Sequence, residues 1–225
     1  MKTSGATFDI STLRSNPLMS SFPSGSTSEP RLAELLAALA VYGVGVAISR
    51  RNGPSMRRRD SDRAVRDILV QQSGHRIDAG TWVIVRDMAG KPTVLSPEPN
   101  RGISISYAPN WLAVAVAAHR HIGVDLEPDR AIPQNEWPIH LMAPAEMAFL
   151  RRKASHFLTV WTLKEALSKE AGTGLIAGAA AFDTSRLAAA PPFALSRRGH
   201  GGLACHCRVR LEGELHHLAI CFGPR

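Results

Sequence analysis

Four short segments between residues 81 and 127, TWVIVRD, GISISY, WLAVAVAA and IGVDLE, are rich in β-branched and aromatic residues and are separated by turn chemistry at MAGKP, APN and HRH. Short strands joined by short turns must pair with one another, so this stretch predicts an antiparallel meander. Before it, Leu32, Leu35, Leu36 and Leu39 recur at helical spacing, VGVAISR has the composition of a strand, and DSDRAVRDILVQQSG reads as a helix capped near Asp60 or Ser61, with Gly74 past its end. After it come APAEMAFLRR and a helix from about Ser155, then LACHCRVRL and LHHLAICFG around a Glu-Gly-Glu turn, which predicts a hairpin. Helix followed by strands occurs twice. That order predicts an α+β fold of two similar lobes, a pseudo-twofold pair in which each helix packs on a small antiparallel sheet, with a join near residue 122. The expected division is a disordered Ser/Thr-rich leader over 1–29, an N-terminal lobe over 30–122 and a C-terminal lobe over 123–225.

Composition narrows the function classes. A chain of 225 residues with 44% apolar content can bury an ordinary core. The longest apolar candidate, LAELLAALAVYGVGVAI, is interrupted by Glu34, Gly43 and Gly45 and falls short of the roughly 20 residues of a membrane span, so no membrane helix is expected. Three cysteines, Cys205, Cys207 and Cys221, give no disulfide framework and fit free thiols in a reducing cytoplasm. A net charge of +8 attracts an acidic partner, whether nucleic acid, a phosphorylated cofactor or a protein surface.

Two features carry possible chemistry. In IGVDLE, Asp125 and Glu127 stand two apart in a strand, so both carboxylates share one face while Val124 and Leu126 take the other. Paired like charges ask for a cation, and hard oxygen donors suit Mg2+; alone, such a pair is solvated surface more often than a site. In WTLKEALSKEAGTGL, Glu165 and Lys169 lie one helical turn apart. That spacing is equally that of a stabilising surface ion pair.

Taken together, Gly-Val-Asp-Leu-Glu and, about 35 residues further on, Trp-Thr-Leu-Lys-Glu-Ala-Leu-Ser-Lys resemble the two signature motifs of the 4'-phosphopantetheinyl transferases, in particular the two-lobed, surfactin-synthetase-activating type. The helix DSDRAVRDILV and the GKP at 90–92 extend the resemblance to roughly residues 40–222. It implies transfer of 4'-phosphopantetheine from coenzyme A to a serine of an apo acyl or peptidyl carrier protein, with Mg2+, releasing adenosine 3',5'-bisphosphate, as in a holo-acyl-carrier-protein synthase. The implied metal ligands are Asp125, Glu127 and Glu165. Glu165 is the implied base, Lys169 the group that stabilises or protonates the departing bisphosphate, and Lys164 a phosphate ligand. Arg63 and Lys91 are implied at the coenzyme's nucleotide end, with Ser106 and Tyr107 beside it. The chain departs from the family at Tyr107, which stands where the family has a histidine on the 3'-phosphate; a phenol donates only a neutral hydrogen bond there. A monomer follows from the same resemblance, and a homologue impaired in catalysis is its runner-up.

Two rivals remain. His200, Cys205, His206, Cys207, His216, His217 and Cys221 suggest zinc, but alternation sends Cys205 and Cys207 to one face and His206 to the other. The basic SRRNGPSMRRR suggests nucleic-acid binding, but no aromatic residues interleave it and no finger or helix-turn-helix spacing accompanies it. For Arg57–Arg59 the expectation is a solvated basic loop.

Overall fold

The computed structural model of the chain describes residues 29–51, 57–88, 90–175, 179–198 and 201–224. The expected leader, save Glu29, lies outside them. Helix α1 (Glu29–Val41) buries Leu35 and Leu39, as their spacing predicts, and Gly43 at φ 72° turns the chain into strand β1 (Val44–Arg50). Helix α2 (Arg57–Gln72) starts one turn earlier than its acidic residues suggest, so Arg57–Arg59 are helical rather than loop, and Arg58 and Arg59 are exposed on it. Ser61 does not cap the helix; its hydroxyl donates to the Arg58 carbonyl within it, at 3.0 Å.

The expected single meander is divided among three sheets. β2 (Val83–Arg86) pairs only with β3 (Pro92–Ser96), a strand hidden in the sequence behind its opening proline. β5 (Trp111–Ala118) is the centre of a three-stranded antiparallel sheet, flanked by β1 and by β4 (Arg101–Tyr107). β6 (Ile122–Pro128) leaves that sheet and becomes the edge of another, whose order is β6-β9-β8-β7. The reason is that β5 has no bonding edge left and must be covered on both faces, so the next strand passes to a new layer. Leu112, Val114 and Val116 of β5 pack against Val65, Ile68 and Leu69 of α2. Its alternate residues Ala113, Ala115 and Ala117 join Val124 and Leu126 of β6 and the apolar side of the second sheet in a shared core.

The second sheet is completed by β7 (Ser196–Arg197), β8 (Leu203–Leu211) and β9 (Glu214–Phe222); the expected hairpin forms, but its turn is only Glu212 at φ 49° and Gly213 at φ 91°, Glu214 already belonging to the strand. Cys205 and Cys207 face the shared core and His206 the opposite side, as alternation requires, and all three cysteines are buried free thiols. Helices α3 (Pro144–Arg152) and α4 (Phe157–Ala171) precede the short α5 (Ser185–Ala188), and α4 covers the face of the sheet that carries Ala204, Ala219 and Cys221. Trp161 serves packing: Trp137, Phe157 and Trp161 form a stack with centroids 4.8 and 6.3 Å apart. Gly172 closes α4 in the left-handed conformation. No described helix is long and apolar enough to cross a membrane.

Candidate functional site

The site is built where α4 lies on β6, and a glycine sets the distance. A Cβ on Gly123 would come within 1.7 Å of the Ala166 carbonyl oxygen, so only hydrogen at this position lets the helix approach so closely. Gly123, Asp125 and Glu127 alternate onto the same side of β6, the side facing α4, while Val124 and Leu126 enter the core between the sheets. One carboxylate is thus carried under the helix and buried, with Asp125 only 3% exposed.

Asp125 is held through one oxygen. Its Oδ1 accepts hydrogen bonds from Ser106 Oγ at 2.8 Å and from Lys169 Nζ at 2.6 Å. Its Oδ2 is buried and has no hydrogen-bond partner. Glu127 accepts from Arg130 at 3.0 Å. Glu165, half-buried one helical turn before Lys169, has its pKa pushed up to about 7, first by burial and then by the charge of Asp125, with Glu127 adding to it and Lys169 opposing. The three expected acidic residues therefore act on one another electrostatically, and Lys169 is among them. Lys169 also donates to the Val124 carbonyl at 3.2 Å, while its side chain remains 30% exposed.

Among the described residues no group of three His, Cys, Asp or Glu side chains is placed to hold a metal ion. The donor chemistry nevertheless suits a hard divalent cation: Asp125 keeps a buried carboxylate oxygen without a partner, and burial, with the charge of Asp125 added to it, holds the neighbouring Glu165 carboxyl toward its neutral form. His217, the cross-strand neighbour of Glu127, extends this polar strip with Nε2 at 3.0 Å from Asp129, and burial lowers its pKa.

Lys164 stands apart from this group, and its reading as a phosphate ligand is corrected. It is fully buried on the other side of α4, where its ammonium donates to the carbonyls of Ala179 at 2.6 Å and Phe182 at 2.7 Å and pairs with Glu146 at 2.9 Å. All three of its protons are thereby used. Glu146 in turn accepts from the Ala143 and Thr184 amides and the Thr184 hydroxyl. The sequence offered one sign of this network, a glutamate at the third position of a helix opening with Ala-Pro-Ala-Glu, the place from which a side chain reaches back to the preceding amide.

The expected nucleotide-end residues come from the first half of the chain, and two of them reach the second. Arg63 is exposed on α2, where neighbouring Asp62 is bound by Arg86 at 2.5 Å. Lys91, in the β2–β3 turn, brings its Nζ to 3.0 Å from the position of a Cβ on Gly172, so this turn touches the end of α4. Ser106 is buried and holds Asp125 rather than opening to solvent. Tyr107 is 37% exposed, and the Arg51 guanidinium lies over its ring, 5.7 Å from the centroid, while donating to the Ala108 carbonyl at 3.0 Å. In the sequence Arg51 is one member of the basic run SRRNGPSMRRR, with nothing to mark it as a site residue. Its pairing with Tyr107 depends on β1 ending beside β4's terminal loop.

Residues 121–221 match the sequence model of the 4'-phosphopantetheinyl transferase superfamily. This stretch contains Asp125, Glu127, Glu165 and Lys169, but not Arg63, Lys91, Ser106 or Tyr107. No curated protein matches the chain.

Proposed function

We propose that the chain transfers the 4'-phosphopantetheine group of coenzyme A to a serine hydroxyl of an apo carrier protein. The observation that carries the reading is the acidic cluster under α4, with Lys169 at its edge, lying within the stretch that resembles the transferase superfamily. The reaction forms a bond from the serine oxygen to the phosphorus bearing the pantetheine arm and breaks the pyrophosphate bridge, releasing adenosine 3',5'-bisphosphate. Its demands are charge neutralisation and in-line placement rather than a covalent intermediate.

Asp125, Glu127 and Glu165 would hold a Mg2+ ion, which supplies charge neutralisation to the pyrophosphate when bound. Glu165, directly or through a water, accepts the serine proton. The pKa of about 7 is that of the metal-free site; a bound divalent cation would lower it and favour the ionised carboxylate that can accept the proton. Lys169 donates to the departing bisphosphate oxygen from its partly exposed position. Arg63 and Lys91 meet the nucleotide end, and Arg51 stacked on Tyr107 brings a guanidinium to the place where the histidine charge is missing. In this reading residues 30–122 form the coenzyme lobe and 123–225 the catalytic lobe, related by the pseudo-twofold of the two-lobed type and acting as a monomer.

The test is intact-mass spectrometry of purified apo carrier proteins incubated with the protein, coenzyme A and Mg2+, with an EDTA control. A gain of one phosphopantetheine mass that disappears with EDTA is expected. Coenzyme A binding without any gain would leave the impaired-homologue reading, and absence of both would end the transferase reading.

A further inference from the structure

The carboxylate that anchors the proposed site is held by a residue of the other sheet. Strands β4 and β6 run beside each other where the three-stranded and four-stranded sheets meet, yet they share no backbone ladder. Two serine hydroxyls replace it. Ser104 Oγ accepts the Val124 amide at 2.9 Å, and Ser106 Oγ accepts the Leu126 amide at 3.1 Å. The two serines are equivalent in burial and in the backbone bond they make, at 5% and 4% exposure. They differ in one respect: Ser106 has its hydroxyl proton directed to Asp125 Oδ1 at 2.8 Å.

That difference has a chemical consequence. Because the Leu126 amide occupies one lone pair of Ser106 Oγ, the hydroxyl is oriented and its proton goes to Asp125. With Lys169 Nζ on the same oxygen at 2.6 Å, Oδ1 is fully engaged and the carboxylate cannot rotate without breaking two bonds. Oδ2 is left buried and without a hydrogen-bond partner. We infer that Ser106 is a positioning residue, which fixes the rotamer of Asp125 so that Oδ2 is presented to a divalent cation, and that it is not itself a contact of the coenzyme. The inference rests on the proposed metal set of Asp125, Glu127 and Glu165. It also means that the half of the chain outside residues 121–221 completes the acidic site.

The experiment uses the full chain with Mn2+ as probe, following free Mn2+ by electron paramagnetic resonance, and compares wild type, Ser106→Ala, Ser106→Thr and Ser104→Ala. Each alanine variant leaves one amide of β6 without its acceptor, so Ser104→Ala controls for structural damage. Ser106→Ala is expected to weaken Mn2+ binding by about tenfold or more, as loss of a hydrogen bond to a metal-ligating carboxylate commonly does. Ser104→Ala should change it less than about threefold and Ser106→Thr, which keeps the hydroxyl, should restore it. Coenzyme A affinity measured in EDTA should be unchanged in Ser106→Ala. Equal Mn2+ affinities in the two alanine variants would overturn the inference, and so would a loss of metal-free coenzyme affinity confined to Ser106→Ala. Wild-type protein without measurable Mn2+ binding would overturn the metal set itself, an outcome separate from either. Should Ser106→Ala not fold, Ser106→Cys, which keeps the shape but donates only weakly to Asp125, takes its place, and an Mn2+ affinity equal to that of Ser104→Ala overturns the inference in the same way.

Discussion

At the scale of single residues, charge placement decides. Glu165 has a pKa raised to about 7, so between the ordinary carboxyl value and neutrality the folded state binds a proton that the unfolded state has released. Its contribution to stability is therefore fully present below the unfolded pKa and is lost as pH rises through 7. Glu165→Gln removes this loss. In EDTA the variant should be more stable than wild type at pH 8 by about 1–2 kcal/mol, after allowance for its partial exposure, and no more stable at pH 4. Urea titrations at the two pH values check this, and an equal difference at both would contradict the assigned shift. Lys164 gives the opposite case. Lys164→Met strands the Glu146 carboxylate in the interior and should cost about 3–5 kcal/mol, with no specific loss of Mn2+ affinity in the protein that remains folded. Sequence spacing made Asp125 and Glu127 legible, since a period of two fixes which residues share a face of a strand. Lys164 was misread because the partner that claims it, Glu146, lies on another helix and is brought to it only by the packing of α3 on α4.

Elements were read with uneven success, for a physical reason. Helices α1 and α4 and the β8–β9 hairpin are determined by local signals, namely leucine spacing, a left-handed glycine and a Glu-Gly turn with both residues at positive φ. Strand pairing is not local. β5 is apolar on both faces, and its sequence alone did not reveal that β1, 63 residues earlier at the Ser49–Leu112 pair, closes its free edge and sends β6 into the second sheet. The contact of β6 with α4 depends on Gly123. Gly123→Ala places a methyl against backbone that cannot yield independently, so α4 must lift. Thermal unfolding should show a destabilisation of about 1–3 kcal/mol, as overpacking does. Because Glu165 and Lys169 ride on the same helix, Mn2+ affinity should fall as well. A variant with wild-type stability and affinity would mean that the helix does not rest where the structure puts it.

For the molecule as a whole, the two sheets turn their apolar sides toward each other and keep α2 and α4 on the outside, so the acidic cluster of one half and the basic helix surface of the other belong to a single compact arrangement. The net charge of +8 announced an acidic partner, but which surface meets it was not legible, because basic residues are spread over the sequence and gathered only by folding. The three cysteines follow from the same arrangement. They sit on β8 and β9 where the sheet is covered on both sides, and burial raises their thiol pKa values, that of Cys207 to about 12. A thiol that neither ionises nor meets solvent does not react. The native protein should therefore take up no iodoacetamide at pH 8, while each molecule that opens globally acquires three labels at once. Mass spectra with intermediate labelling would instead reveal opening of one strand at a time. The chain thus contains its own clock for unfolding, read without any dye or tag, and ligands that steady the fold can be ranked by how far they slow it.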